Sequence, residues 1–175
     1  MKKLLIVYYS WSCGNTERTA KALQSVAGGD LVRLDTAVPY TGSYNDVVDQ
    51  GQHEVNAGFE PELKALPVNV ADYDVIAVGT PTWWYTMAPA VKAFLHGQNF
   101  AGKTVVPFMT NGGWPGRVIK DMKAACPGAV GEAANVAELL MSDKGAFITG
   151  STFLIDGGAT ASYFYGPLRP DGTGA

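Results

Sequence analysis

Near the amino terminus, the apolar run Leu4-Leu5-Ile6-Val7-Tyr8-Tyr9 leads directly into Ser10-Trp11-Ser12-Cys13-Gly14-Asn15-Thr16. The first run has the composition of a buried β-strand, and residues 15–26 have helical spacing that Gly28-Gly29 would end. Small hydroxyl residues and a glycine therefore lie between a strand and a helix. Free backbone N–H groups and the positive end of the helix dipole meet there, which favours an anion. This pattern predicts a site for the phosphate of a cofactor.

Strands and helices alternate along the rest of the chain. Apolar runs predict further strands at 30–34, 74–78 and 103–109, and periodic segments predict helices at 44–56, 90–97 and 118–125. Residues 79–89 are predicted to form a loop. The run at 74–78 is continuously apolar after Asp74, as expected of a strand that is buried on both faces. The alternation predicts an α/β fold with three layers, in which helices cover both faces of a doubly wound parallel sheet.

Composition and charge exclude several classes of protein. The chain has 175 residues, 47% of them hydrophobic and 17% charged, which suits one soluble domain. The net charge is −3 and no run of Lys or Arg occurs, so nucleic acid is not an expected partner. Cys13 and Cys126 form no metal-ligand pattern. The first apolar run is too short for a signal sequence or a membrane span, so we expect a cytoplasmic protein.

Two more loops are predicted at the carboxyl edge of the sheet, where open parallel sheets bind ligands. One contains Thr80-Pro81-Thr82-Trp83-Trp84-Tyr85-Thr86-Met87 and the other Thr110-Asn111-Gly112-Gly113-Trp114. A single loop tryptophan is more often structural, but three adjacent aromatic side chains indicate a ligand or a partner. The two glycines would let the backbone come close to a ligand.

Residues 3–16, 74–95 and 103–116 together resemble the flavodoxin family, and the similarity extends over about residues 1–128. The resemblance implies strand order 2-1-3-4-5 and bound FMN. By resemblance, the phosphate would be held by Ser10, Ser12, Asn15 and Thr16. The isoalloxazine ring would lie between two sets of residues, namely Thr82, Trp83, Trp84 and Tyr85 on one side and Thr110, Asn111, Gly112 and Gly113 on the other. Trp11, Cys13, Gly14 and Pro81 complete the implied site.

The first loop departs from the family pattern, which is commonly hydroxyl-x-hydroxyl-Gly-Asn-Thr. Here Cys13 is inserted between Ser12 and Gly14, which leaves open which hydroxyl faces the phosphate and on which side Trp11 lies. We expect Cys13 to fill space in the loop rather than to act as a redox thiol.

The segment 131–165 instead resembles the carboxyl-terminal part of short-chain dehydrogenases/reductases, through Phe147-Ile148-Thr149-Gly150 and Ile155-Asp156-Gly157-Gly158. It predicts a helix at 132–141 and a fifth strand at 152–155, within one domain over 1–165 that is followed by a flexible tail at 166–175. Neither the Gly-rich NAD fingerprint nor the Tyr-x-x-x-Lys pair of that family occurs, so dehydrogenase activity is not predicted. A missing fifth helix would expose apolar surface, which either a homodimer or the segment Tyr163-Phe164-Tyr165 folding back could cover.

The leading hypothesis is an FMN-binding redox protein that carries electrons between redox partners, either proteins or small acceptors. An FMN-dependent NAD(P)H quinone-type reductase is the first alternative. A scaffold that has lost or weakened flavin binding is the second.

Overall fold

The computed structural model describes residues 2–129 and contains one sheet with flanking helices. The strands are β1 (Leu4–Tyr8), β2 (Asp30–Arg33), β3 (Val75–Trp83), β4 (Thr86–Met87) and β5 (Thr104–Thr110). The helices are α1 (Asn15–Ala27), α2 (Tyr44–Ala57), α3 (Pro89–Gly97) and α4 (Val118–Ala124). Four strands are parallel in the order β2-β1-β3-β5, and β4 is antiparallel to the end of β3. None of the helices within residues 2–129 is long and apolar enough to cross a membrane.

The alternating side chains of the sheet form a hydrophobic core on each face. On one face, Ile6 and Phe108 pack with Ala20 of α1. On the other, the larger core joins Leu5 and its neighbours to Phe94 of α3 and Met122 of α4. Helices therefore cover both faces, which confirms the predicted three-layer α/β fold. The predicted helix at 132–141, the strand at 152–155 and the tail at 166–175 lie outside the described residues.

The loop predicted at residues 79–89 is wrong over most of its length. β3 continues to Trp83, with Pro81 paired to Thr110 of β5, and then turns back so that Trp83 pairs with Thr86. Gly79, Thr80 and Pro81 resemble turn residues when only local sequence is considered. Pairing with β5, which lies far along the chain, nevertheless keeps them extended and carries the aromatic residues beyond the end of the sheet.

Helix α2 is fixed at both ends by residues that suit those positions. The Ser43 side chain accepts a hydrogen bond from the Asp46 N–H at 3.2 Å, and the Asp46 carboxylate accepts one from the Ser43 N–H at 2.8 Å. This reciprocal pair is a capping box, which satisfies two N–H groups that the helix cannot pair internally. At the other end Gly58 has φ 67°, a left-handed conformation that glycine adopts without steric cost. The predicted helix is thereby confirmed.

Candidate functional site

A cavity of about 370 Å³ opens at the carboxyl edge of the sheet, between the predicted loops and α2. The predicted residues that line it are Trp11, Ser12, Cys13, Asn15, Thr16, Pro81, Thr82, Trp83, Trp84, Thr110, Asn111 and Gly112. The predicted residues Ser10, Gly14, Tyr85 and Gly113 are outside its lining. Helix α2 adds four lining residues that were not predicted, namely Tyr44, Val47, Val48 and Gly51.

In the first loop two carbonyl groups are occupied by arginine side chains, and the N–H groups are available. The carbonyl of Ser10 accepts a hydrogen bond from Arg33 Nη2, and that of Cys13 accepts one from Arg18 Nη1, each at 3.0 Å. No backbone N–H of residues 10–14 donates a hydrogen bond to another residue in the described range 2–129. Ser12 and Gly14 have φ 65° and 69°, so the loop turns sharply before α1 begins. A turn of unpaired N–H groups at a helix N-terminus suits an anion.

Two hydroxyl groups of this loop are buried and have different roles. Thr16 Oγ1 lies 2.7 Å from Thr110 Oγ1, so it links the first loop to the third. Ser10 is 3% exposed, and its Oγ has no hydrogen-bond partner among the described residues. Because an unpaired buried hydroxyl costs free energy, Ser10 Oγ is a polar group that a ligand could satisfy.

Aromatic side chains at the end of β3 form a wall of the cavity beside α2. Trp83 packs against α2, where a Cβ on Gly51 would lie 3.0 Å from the Trp83 ring. Trp84 Nε1 donates a hydrogen bond to the Val48 carbonyl at 2.9 Å. Gly51 and Val48 therefore hold this wall in position. In the described part of the cavity lining there is no carboxylate, imidazole or cationic side chain, so its polar contacts come from hydroxyls, amides, the Cys13 thiol and the backbone.

Comparison with known proteins identifies the family. A model of the flavodoxin family matches residues 3–144. The chain belongs to the flavodoxin family.

Solved structures share the fold of this flavodoxin-family chain. A candidate flavoprotein from Bacteroides eggerthii is 30% identical, with a TM-score of 0.68, and the match covers 80% of this chain and 96% of that one. A flavoprotein from Lactobacillus acidophilus, solved in complex with FMN, is 23% identical, with a TM-score of 0.63 and coverage of 74% and 89%. At the latter identity the likeness concerns the fold.

Curated relatives match over a shorter stretch. An NAD(P)H dehydrogenase (quinone) from Rhizobium meliloti is 36% identical over 100 residues, which is 54% of this chain and 43% of that protein. One from Brucella anthropi is 35% identical over 100 residues, 54% of this chain and 46% of that protein. The chain thus spans less than half the length of these curated relatives.

The turn between β3 and β4 is strained in this flavodoxin-family protein. Trp84 and Tyr85 have φ 47° and 69°, although neither is a glycine. Two left-handed residues in a two-residue hairpin are typical of a type I′ turn, which favours Asn-Gly. The turn is held by the Trp84 indole on α2 and by the Arg117 N–H, which donates to the Tyr85 carbonyl at 2.6 Å. Strain of this kind is common at binding sites.

Replacing Tyr85 by glycine should therefore raise the free energy of unfolding. Relief of the left-handed strain, about 1–3 kcal/mol, should exceed the extra chain entropy of glycine, about 0.5–1 kcal/mol. The lost side chain is 58% exposed and contributes little packing. Urea unfolding measures the change. Tyr85→Ala is the control, since alanine keeps the Cβ and should give no gain. A glycine variant that is less stable than wild type would show that the turn is unstrained.

Proposed function

We propose that this chain binds FMN in the cavity and acts as a redox protein that carries electrons between partners. The observation that carries the proposal is the first loop, which lines the aromatic-walled cavity through Trp11, Ser12 and Cys13 and whose N–H groups are unpaired among the described residues. The buried Ser10 Oγ, next to Trp11 in the chain, is unpaired as well. Membership of the flavodoxin family supports it, as does the Lactobacillus acidophilus flavoprotein that was solved with FMN in the same fold.

The residues present fit the two parts of FMN. N–H groups of residues 10–14 and the hydroxyls of Ser10 and Ser12 would hold the phosphate at the N-terminus of α1, with Asn15 and Thr16 beside them. The flat ring would lie between the aromatic wall and the third loop. A cavity of about 370 Å³ has the size of a small-molecule site. When bound, FMN would supply the group that accepts and releases electrons.

The protein would then bind the flavin and set its reduction potential. Thr82 and Trp83 on one side, and Asn111 on the other, would exclude water from the ring and offer hydrogen bonds to it. Because the described lining carries no charged side chain, the reduction potential would depend on these neutral contacts and on stacking. A redox partner protein or a small acceptor would take the electrons at the open end of the cavity.

The visible spectrum of the purified protein tests FMN binding. We expect flavin absorbance to stay with the protein after FMN is added and free flavin is removed. Riboflavin, which lacks the phosphate, should bind at least about 10-fold more weakly, since one charged hydrogen bond contributes about 1.5–3 kcal/mol. A folded protein that retains no colour would refute the proposal, and equal binding of the two flavins would place the phosphate outside the first loop.

A second candidate is an FMN-dependent NAD(P)H quinone reductase. It is favoured by the curated relatives, both of which are named NAD(P)H dehydrogenase (quinone). The two candidates differ in their electron donor. Rapid anaerobic bleaching of the FMN-loaded protein by NADH or NADPH, with reoxidation by a quinone, would favour the reductase. Bleaching by a reductase protein but not by NADH or NADPH would favour the electron carrier.

A further inference from the structure

Aromatic rings form a continuous path from the cavity wall into the protein. The Trp83 ring centroid is 5.1 Å from that of Tyr40, 5.9 Å from that of Tyr9 and 6.3 Å from that of Trp11. Trp11 and Trp83 line the cavity, whereas Tyr40 does not. All three contacts of Trp83 are edge-to-face, so its ring joins the cavity to Tyr40 with no gap between rings. Electron exchange between side chains falls steeply with distance, and such contacts keep it fast.

The path reaches Tyr40, whose ring also packs edge-to-face on Tyr9 at 6.3 Å and whose hydroxyl is paired with a carboxylate. The Tyr40 hydroxyl donates a hydrogen bond to Glu54 Oε2 at 2.5 Å, and Gln50 Nε2 donates one to Glu54 Oε1 at 2.7 Å. Burial first, and then the hydrogen bond to Glu54, raise the pKa of Tyr40, so the resting phenol keeps its proton. Glu54 also lines a second cavity of about 340 Å³.

We propose that Tyr40 and Glu54 form a proton-coupled one-electron donor, which supplies an electron through Trp83 to a light-excited flavin in the cavity. This rests on the proposed function, since the flavin is the oxidant. As a result, the radical forms on Tyr40 and does not remain on a tryptophan of the cavity wall.

The step balances in electrons and protons. One electron leaves the Tyr40 ring and passes through Trp83 to the excited flavin, which is reduced by that electron. The phenol O–H bond breaks, and the proton moves along the existing hydrogen bond to Glu54 Oε2. A neutral tyrosyl radical and a protonated Glu54 result. When the electron returns, the proton goes back to Tyr40 and no atom has left the protein.

The chain contains a matched control for this pair. Tyr73 also donates a hydrogen bond to a carboxylate, Asp30 Oδ2, at 2.6 Å. It lies at the amino end of the sheet, where the Lys3 ammonium is 4.3 Å from its ring centroid. No other aromatic ring within residues 2–129 packs against it in a stacked or edge-to-face pair. Tyr73 therefore has the carboxylate partner but lacks the path.

Electron paramagnetic resonance of the FMN-loaded protein under blue light tests the proposal. Wild type and Tyr73→Phe should both give a tyrosyl radical. Tyr40→Phe should lose this signal and show a tryptophan radical instead. Glu54→Gln, which keeps the packing, should lower the radical yield and remove the slower formation expected in deuterated water. A tyrosyl signal that persists in Tyr40→Phe, or that is lost in Tyr73→Phe, would overturn the proposal.

Bound FMN is measured from the absorption spectrum before illumination. A protein that fails to bind flavin is thereby distinguished from one that binds flavin but lacks the proposed electron donor. If wild type holds no FMN, a diffusible ruthenium polypyridyl, with persulfate as the terminal electron acceptor, replaces the flavin as photo-oxidant, and peptide mass spectrometry measures oxidation of Trp83. If Tyr40 supplies electrons to Trp83, more of Trp83 should be oxidised in Tyr40→Phe than in Tyr73→Phe. Equal oxidation of Trp83 in the two variants would refute electron transfer from Tyr40 to Trp83.

Discussion

Replacing Gly79 by alanine should lower the free energy of unfolding by about 3 kcal/mol, which is the upper part of the range for overpacked cores. Gly79 of β3 lies beside Phe108 of β5 in the parallel ladder. A Cβ at position 79 would be 3.0 Å from Cε1 of the Phe108 ring, and Cζ and Cε2 would be closer still. The ring is 6% exposed and packed among Ile6, Tyr8 and Ala77, so it has little room to move.

Urea unfolding of the ligand-free protein measures this change. Gly97→Ala is the matched control, because a Cβ there would meet no atom within 4 Å. The double variant Gly79→Ala/Phe108→Leu should recover part of the loss, since the smaller side chain frees the space that the methyl group needs. If Gly79→Ala were as stable as Gly97→Ala, the close packing of Phe108 on β3 would be wrong.

The sequence was a good guide wherever structure depends on near neighbours along the chain. Helix α1 begins at Asn15 and α2 at Tyr44, as predicted, because spacing and end residues are local signals. The end of β3 was not predictable in this way. Gly79 to Pro81 favour a turn by composition, but pairing with the distant strand β5 keeps them extended. Nonlocal hydrogen bonds therefore override the local preference.

The candidate site, too, could be predicted from the sequence only in part. The three loops could be brought together from sequence, because the carboxyl ends of parallel strands share one edge. The contribution of α2 was missed, although Tyr44, Val47, Val48 and Gly51 have the spacing of one helix face. That spacing identifies a face, but the position of the helix decides what the face contacts. The roles of individual loop residues depend on burial, which made Thr16 a link to Thr110 and left Ser10 without a described partner.

Replacing Ser10 by alanine should change stability and FMN binding in opposite directions. Ser10 is 3% exposed, and its Oγ is unpaired among the described residues, so removing it should stabilise the ligand-free protein by about 1 kcal/mol. If the same hydroxyl donates to the phosphate, its loss removes a charged hydrogen bond of about 1.5–3 kcal/mol and weakens FMN binding about 10- to 150-fold. Riboflavin binding should stay unchanged, because that ligand has no phosphate.

Urea unfolding without ligand and titration with each flavin measure the two effects on the same preparations. Ser25→Ala is the control, because its exposed hydroxyl lies on α1 and donates only to the Ala22 carbonyl in the described structure. A purely structural serine would lose stability on replacement and would affect both flavins alike. Suppose instead that Ser10→Ala is more stable without ligand and binds FMN, but not riboflavin, more weakly. The folded wild-type protein must then keep this buried hydroxyl unpaired for the phosphate. Equal FMN binding by Ser10→Ala and wild type would instead remove Ser10 from the site and leave the backbone N–H groups as the phosphate ligands.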